Sequence, residues 1–194
     1  KKNAYKYEDL IKEKLISICD DGSFQLDMSY FDYCTGLHMT NERFDKLLGG
    51  PARLPDELLT QRHMDLAASI QAVTEKIILH MTRGLARDTG QTNLCLAGGV
   101  ALNCVANGKV LRDGAFENIW VQPAAGDAGG ALGAALAGYY LFQTQPRQIN
   151  KGDAMQGAYL GPEFLQNEIE IRLTQAGANF KILDDVGLID AAVT

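Results

Sequence analysis

Leu96-Ala97-Gly98-Gly99-Val100 and Ala125-Gly126-Asp127-Ala128-Gly129-Gly130 are two glycine-rich turns, each following a short apolar run and opening a helix-like stretch. This repetition constrains the fold more than any other feature. Strand 93–97, helix 100–112, strand 118–122 and helix 128–142 predict an α/β unit with parallel strands and a right-handed crossover. Both turns then emerge at the same carboxyl edge, and with adjacent strands about 4.8 Å apart one ligand can touch both. The continuous apolar runs predict strands covered on both faces.

The flanking segments are less regular. Leu10, Ile11, Leu15, Ile16 and Ile18 have helical spacing over 7–19, stopped by Asp20-Asp21-Gly22. Residues 23–34 mix aromatic and polar positions and predict one or two strands. A short helix from Thr40 ends at Gly49-Gly50, and Pro51 and Pro55 make a connector. From Asp56 to about Asp88, Leu66, Ile70, Val73, Ile77, Met81 and Leu85 form one apolar stripe, with a break possible near Arg62-His63 and a stop at Gly90. A helix of about thirty residues would be roughly 45 Å long. From the second turn into the helix over 128–142, Gly126, Gly130, Ala134 and Gly138 recur every fourth residue, and close helix–sheet packing accounts for most of that stripe. Residues 146–153 read as a linker between a domain over 1–145 and the beginning of a second over 154–194, with a helix around 163–176 and a strand near 179–183.

The chemistry concentrates in the two turns. Gly98 and Gly99 let backbone N–H groups approach an anion at a helix start. Asn103, four residues past Gly99, is either a hydrogen-bonding ligand for a phosphate, ribose or base, or a packing residue. The pattern lacks a P-loop lysine and the third glycine of a dinucleotide fold. Asp127 is either the N-cap of its helix or a metal ligand. Gly126, Gly129 and Gly130 leave more clearance around it than a cap requires, enough for a metal and a phosphate chain. His38, His63 and His80 have no metal-ligand spacing, so other ligands are expected from outside this chain. Arg53 is either a loop cation for an anion or a plain surface arginine.

A net charge of −6 argues against nucleic acid and anionic membrane as partners. Residues 124–142 contain Asp127 and five glycines, which argues against a membrane span. Cys19, Cys34, Cys95 and Cys104 are scattered, with no C-x-x-C pair, and read as buried reduced thiols of a cytoplasmic protein. The start at Lys1-Lys2 and the end at Ala191-Ala192-Val193-Thr194 predict a piece of a longer protein.

Three motifs carry a resemblance over most of residues 25–165: Arg62-His63-Met64-Asp65-Leu66-Ala67-Ala68-Ser69-Ile70-Gln71, Asn93 to Cys104, and Gln122 to Ala135. In this order they closely resemble the NodU/CmcH-type O-carbamoyltransferases. The resemblance implies the second half of an actin-like ATPase (ASKHA) domain, with βα units on a mixed or parallel sheet, followed by the beginning of a YrdC-like domain. It implies that carbamoyl phosphate and ATP give carbamoyl-adenylate, whose carbamoyl group passes to a hydroxyl of a small molecule. Carried over by position, Asp127 matches the family's metal-binding aspartate, with Fe2+ as the implied ion. Gly98, Gly99 and Asn103 match its nucleotide-side loop, with Gly126, Gly129 and Gly130 beside them. The metal histidines belong to an upstream half missing here, so the fragment is expected to be inactive alone. An acceptor hydroxyl as nucleophile explains why no protein nucleophile is found. The competing readings are an actin-like small-molecule kinase, a tRNA threonylcarbamoyl transferase, and a non-catalytic regulatory module of the same fold.

Overall fold

A computed structural model of the chain describes residues 5–149 and 152–193. Two compact units divide between Arg147 and Gln148. The first is α/β. Its elements run α1 (Glu8–Lys14), β1 (Ile16–Ile18), β2 (Phe24–Leu26), α2 (Glu42–Leu47), α3 (Gln61–Thr89), β3 (Asn93–Leu96), α4 (Cys104–Asp113), β4 (Asn118–Val121) and α5 (Asp127–Ala137). The second contains α6 (Gln166–Gln175) and α7 (Asp185–Val193).

The helix expected over 7–19 stops at Lys14, because Ile16-Ser17-Ile18 alternates and pairs antiparallel with Phe24-Gln25-Leu26. Asp20-Asp21-Gly22 is therefore a hairpin turn. It lies directly on α3: a side-chain carbon on Gly22, at φ +84°, would sit 2.3 Å from the Met81 backbone nitrogen.

The long helix begins at Gln61 rather than Asp56. Upstream, the Arg53 guanidinium donates to the carbonyls of Leu54 and Pro55 at 2.8 and 2.9 Å, which organises a loop incompatible with helix. Arg53 is thus engaged with its own backbone. His63 Nδ1 accepts the Thr60 N–H at 3.1 Å, and Arg62 donates to the Gly50 and Pro51 carbonyls at 2.8 and 2.6 Å. These contacts start the helix cleanly at the Arg62-His63 pair. Gly90, left-handed at φ 62°, ends it.

α3 is the spine of this unit. On one side Val73 and Ile77 pack with Ile11, Leu15, Ile16 and Leu48; on another, Ile78, Leu79 and Ala86 meet Leu94, Val110 and Phe116. Val73 and Val110 are each 1% exposed, and burying a side chain of this kind contributes about 1.5–3 kcal/mol. Ion pairs tie α3 to both neighbours: Lys76 to Glu8 of α1, Arg83 to Asp113 of α4, and Glu75 to Lys109 of α4. Hydrogen bonds from Lys76 and Lys12 hold the Glu8 carboxyl below the usual carboxylate range, and the Arg83 guanidinium does the same for Asp113. At Glu75, burial pushes the carboxyl up, but the hydrogen bonds from Lys109 and Gln71 and the charge of Lys109 outweigh it and leave the net shift downward.

A depressed carboxyl contributes stability that is complete above its unfolded pKa, about 4.3 for Glu, and is lost as pH falls through the lower folded value. The urea midpoint is therefore expected to hold from about pH 7 to about pH 5 and to fall below about pH 4, with Glu75→Gln flattening part of that fall. A midpoint unchanged down to about pH 3 would contradict this account.

β3 and β4 pair in parallel with Asn93 opposite Asn118 and Cys95 opposite Trp120. Only one face of the pair is covered. Leu94 is buried, whereas Cys95 is exposed and Trp120 is 48% exposed, so the expectation of two covered faces is corrected. The cysteine expectation is corrected with it, because Cys19, Cys34, Cys95 and Cys104 are all free and exposed. Cys95 is exposed because the pleat turns it to the uncovered face.

The helix expected over 100–112 is split, with a 3-10 turn over Gly99–Leu102 preceding α4. The helix expected over 128–142 is α-helical only to Ala137 and continues as a π-helical turn, Gly138–Phe142. α5 buries no residue, and a side-chain carbon on Gly130, Gly133 or Gly138 would meet nothing within 4 Å. Close packing against the sheet does not explain that stripe. In the second unit, residues 178–184 form no strand: Phe180 to Leu183 have no partner ladder among the described residues. Among the described residues no helix is long and apolar enough to cross a membrane.

Candidate functional site

Parallel pairing of β3 with β4 brings the glycine turns together. The Gly98 N–H, at φ 103° in the left-handed region, donates to the Ala125 carbonyl at 2.8 Å. This bond locks one turn to the other across the strand ends. Between them opens a cleft of about 470 Å³ lined by Ala97, Gly98, Gly99, Gln122, Ala124, Ala125, Gly126, Asp127, Gly129 and Gly130. Gln122, the first residue of the third motif, has no role assigned from sequence; its Oε1 accepts the Ala124 N–H at 3.2 Å and shapes the loop from within.

The glycines do different work. A side-chain carbon on Gly98, Gly99, Gly126 or Gly130 would meet nothing within 4 Å, so these positions keep the cleft open. Gly129 is different: there the carbon would lie 2.0 Å from the Ala124 carbonyl oxygen. Its missing side chain lets the first turn of α5 fold back on the loop that leads into it.

Asp127 is the first residue of α5, behind Gly126 as N-cap. Its carboxylate has no hydrogen-bond or ion-pair partner among the described residues. The cap alternative is thereby removed. The first amide groups of an α-helix have no partner within the helix and favour negative charge, so the start of α5 offers donors to an anion in the cleft. A phosphate chain suits these glycines and amides.

A metal is not held by these residues alone. A single carboxylate does not bind a transition ion, and among the described residues no group of three His, Cys, Asp or Glu side chains comes together as a metal site. His38 and His80 are exposed and His63 is spent on the start of α3.

Asn103 does not line the cleft. It caps α4, its Oδ1 accepting the Ala106 N–H at 3.1 Å, and its amide pairs with Gln71 of α3. The sequence alternative of a packing residue describes its contacts.

An α/β protein with a glycine-lined cleft at the carboxyl edge of parallel strands is the class defined so far. The sequence model of the family described as Carbamoyltransferase N-terminus matches residues 3–136, and the chain belongs to the NodU-type carbamoyltransferase family. A protein of Synechocystis sp. described as uncharacterized is 56% identical over 168 residues, 87% of this chain and 27% of that protein. Nodulation protein NolNO of Sinorhizobium fredii is 46% identical over 131 residues, 66% of this chain and 18% of that protein. Nodulation protein NolO of Bradyrhizobium diazoefficiens is 44% identical over 128 residues, 66% of this chain and 23% of that protein. The chain thus spans between about a fifth and a quarter of the length of these relatives.

Proposed function

We propose that this chain is part of an O-carbamoyltransferase that uses carbamoyl phosphate and ATP to make carbamoyl-adenylate and passes the carbamoyl group to a hydroxyl of a small molecule. The observation that carries the reading is the cleft where the two glycine turns meet at the start of α5. Family membership supports carbamoyl transfer in general. The uncovered face at Cys95 and Trp120 and the unburied α5 suit a chain completed by further polypeptide of the same enzyme, an upstream actin-like half and a downstream YrdC-like domain.

In this reading Gly98, Gly99, Gly126 and Gly130 leave room for the adenylate phosphate, and the amides at the start of α5 donate to it. The acceptor oxygen forms a bond to the carbamoyl carbon while the carbon–oxygen bond to the AMP phosphate breaks. AMP leaves with the electron pair, and the hydroxyl proton passes to a base outside these residues. Amides aimed at the leaving phosphate stabilise the charge that develops there, a means of lowering such a barrier. Asp127 would supply one ligand to a divalent ion, Fe2+ in the family's pattern, with the remaining ligands outside the described residues. Bound there, such an ion would polarise the carbonyl and neutralise the phosphate.

The test is a cleft-filling substitution in the full-length protein. Gly130→Leu adds a side chain where the structure has open space, so the protein should fold. It should also lose binding of a non-hydrolysable ATP analogue and carbamoyl transfer to the acceptor. Full affinity for the analogue in that variant would remove the cleft from the reading. Transfer of the γ-phosphate without carbamoyl phosphate would favour the kinase alternative.

A further inference from the structure

The first glycine turn is held almost entirely by polar contacts. No side-chain carbon placed on Gly98 or Gly99 would meet anything, and Val100 and Leu102 are 60% and 58% exposed. Its beginning is fixed by the Gly98–Ala125 bond described above. Its end is fixed by Asn107, whose Nδ2 donates to the Ala101 carbonyl at 2.7 Å, and by Asn103, which engages Gln71 in a reciprocal amide pair: Asn103 Nδ2 donates to Gln71 Oε1 at 2.9 Å and Gln71 Nε2 donates to Asn103 Oδ1 at 3.1 Å. Gln71 Nε2 also donates to Glu75 Oε1 at 3.0 Å, and the other oxygen of Glu75 is bound by Lys109. An amide has two N–H donors, and here both are used. Rotating the Gln71 amide by half a turn would set its oxygen against the Glu75 carboxylate and its nitrogen against the Asn103 nitrogen. The Glu75–Lys109 pair therefore dictates which way Gln71 faces, and Gln71 holds the Asn103 amide at the end of the turn.

Resting on the functional reading above, we propose that Gln71 is a positioning residue of the ATP site, acting from α3 through Asn103 on the Gly98–Leu102 turn. It touches no ligand. It keeps the turn in register with the start of α5, so that both sides of the cleft meet the phosphate together.

The test uses the full-length protein, with Gln71→Ala and Gln71→Glu compared with wild type for binding of a non-hydrolysable ATP analogue by calorimetry and for melting temperature. Gln71→Ala should weaken the analogue by about tenfold, more than its change in melting temperature explains through loss of folded protein. Gln71→Glu sets a carboxylate beside Glu75, where Lys109 is the cation bound to Glu75 among the described residues, and two carboxylates sharing a site raise the pKa of one of them. Binding should therefore be weakest at about pH 8 and recover in part towards about pH 6, where a shared proton restores the bond to Glu75 and removes the repulsion, while wild type lacks that recovery. A purely structural role would not move affinity with pH in this way, and the comparison decides even if Gln71→Ala fails to fold.

Wild type that binds the analogue while Gln71→Ala binds it equally well overturns this inference alone. Gln71→Glu equally weak at both pH values overturns it too. Wild type with no affinity for the analogue overturns the functional reading and this inference with it.

Discussion

Gly129→Ala is expected to destabilise the chain by about 3 kcal/mol, whereas Gly130→Ala, one residue along the same helix, is expected to stabilise it by about 0.5–1 kcal/mol. The difference lies in what each added carbon meets. At Gly129 it would lie 2.0 Å from the Ala124 carbonyl oxygen, a backbone atom that cannot rotate away, so the start of α5 must move off the loop that leads into it. At Gly130 nothing lies within 4 Å, and alanine removes only the conformational freedom that glycine has in the unfolded chain. In thermal unfolding the pair should differ by roughly 8–16 °C, at about 2–4 °C per kcal/mol for a chain of this size. Equal melting temperatures would mean that α5 does not pack on Ala124 as described.

Asp127→Asn is expected to leave folding intact and reduce carbamoyl transfer by the full-length protein by about 100-fold or more. The carboxylate has no hydrogen-bond or ion-pair partner among the described residues, so the neutral isostere removes little from the fold beyond a favourable charge at a helix start. The sign of its effect on ATP affinity is informative. A bare carboxylate beside a polyphosphate repels it, and losing that charge would tighten binding. A carboxylate that shares a cation with the phosphate attracts it, and losing the charge would weaken binding in the presence of the ion. Weaker binding of an ATP analogue, with iron content lowered in parallel, is the expected result. Tighter binding, or undiminished iron, would take Asp127 out of the metal assignment.

The paired βα units were legible because their signals are local. Short apolar runs at 93–96 and 118–121, each closed by glycines and followed by helical spacing, can be joined in very few ways. Gly90 as a helix stop and the stripe from Leu66 to Leu85 were readable for the same reason. Errors fell where pairing decides the outcome. Ile16-Ser17-Ile18 sits within a helical spacing but has a better partner in Phe24-Gln25-Leu26. Phe180 to Leu183 has strand-like character and no partner among the described residues.

At the site, six of the seven residues singled out line one cleft, while Asn103 caps α4 and pairs with Gln71. Gln71 lay inside one of the family motifs but gave no sign of its role, because its partner is 32 residues away.

From the residues alone came the α/β class, the convergence of two glycine turns on one strand edge, and an aspartate at the mouth of the second. Periodicity and glycine placement act over a few residues, so the order of residues is enough to express them. Which glycine is packed and which is open, where the Asn103 amide points, and that the thiols are exposed were decided by tertiary structure. Those properties depend on atoms that meet only after α3, α4 and α5 have docked, and a linear pattern carries no record of those distances.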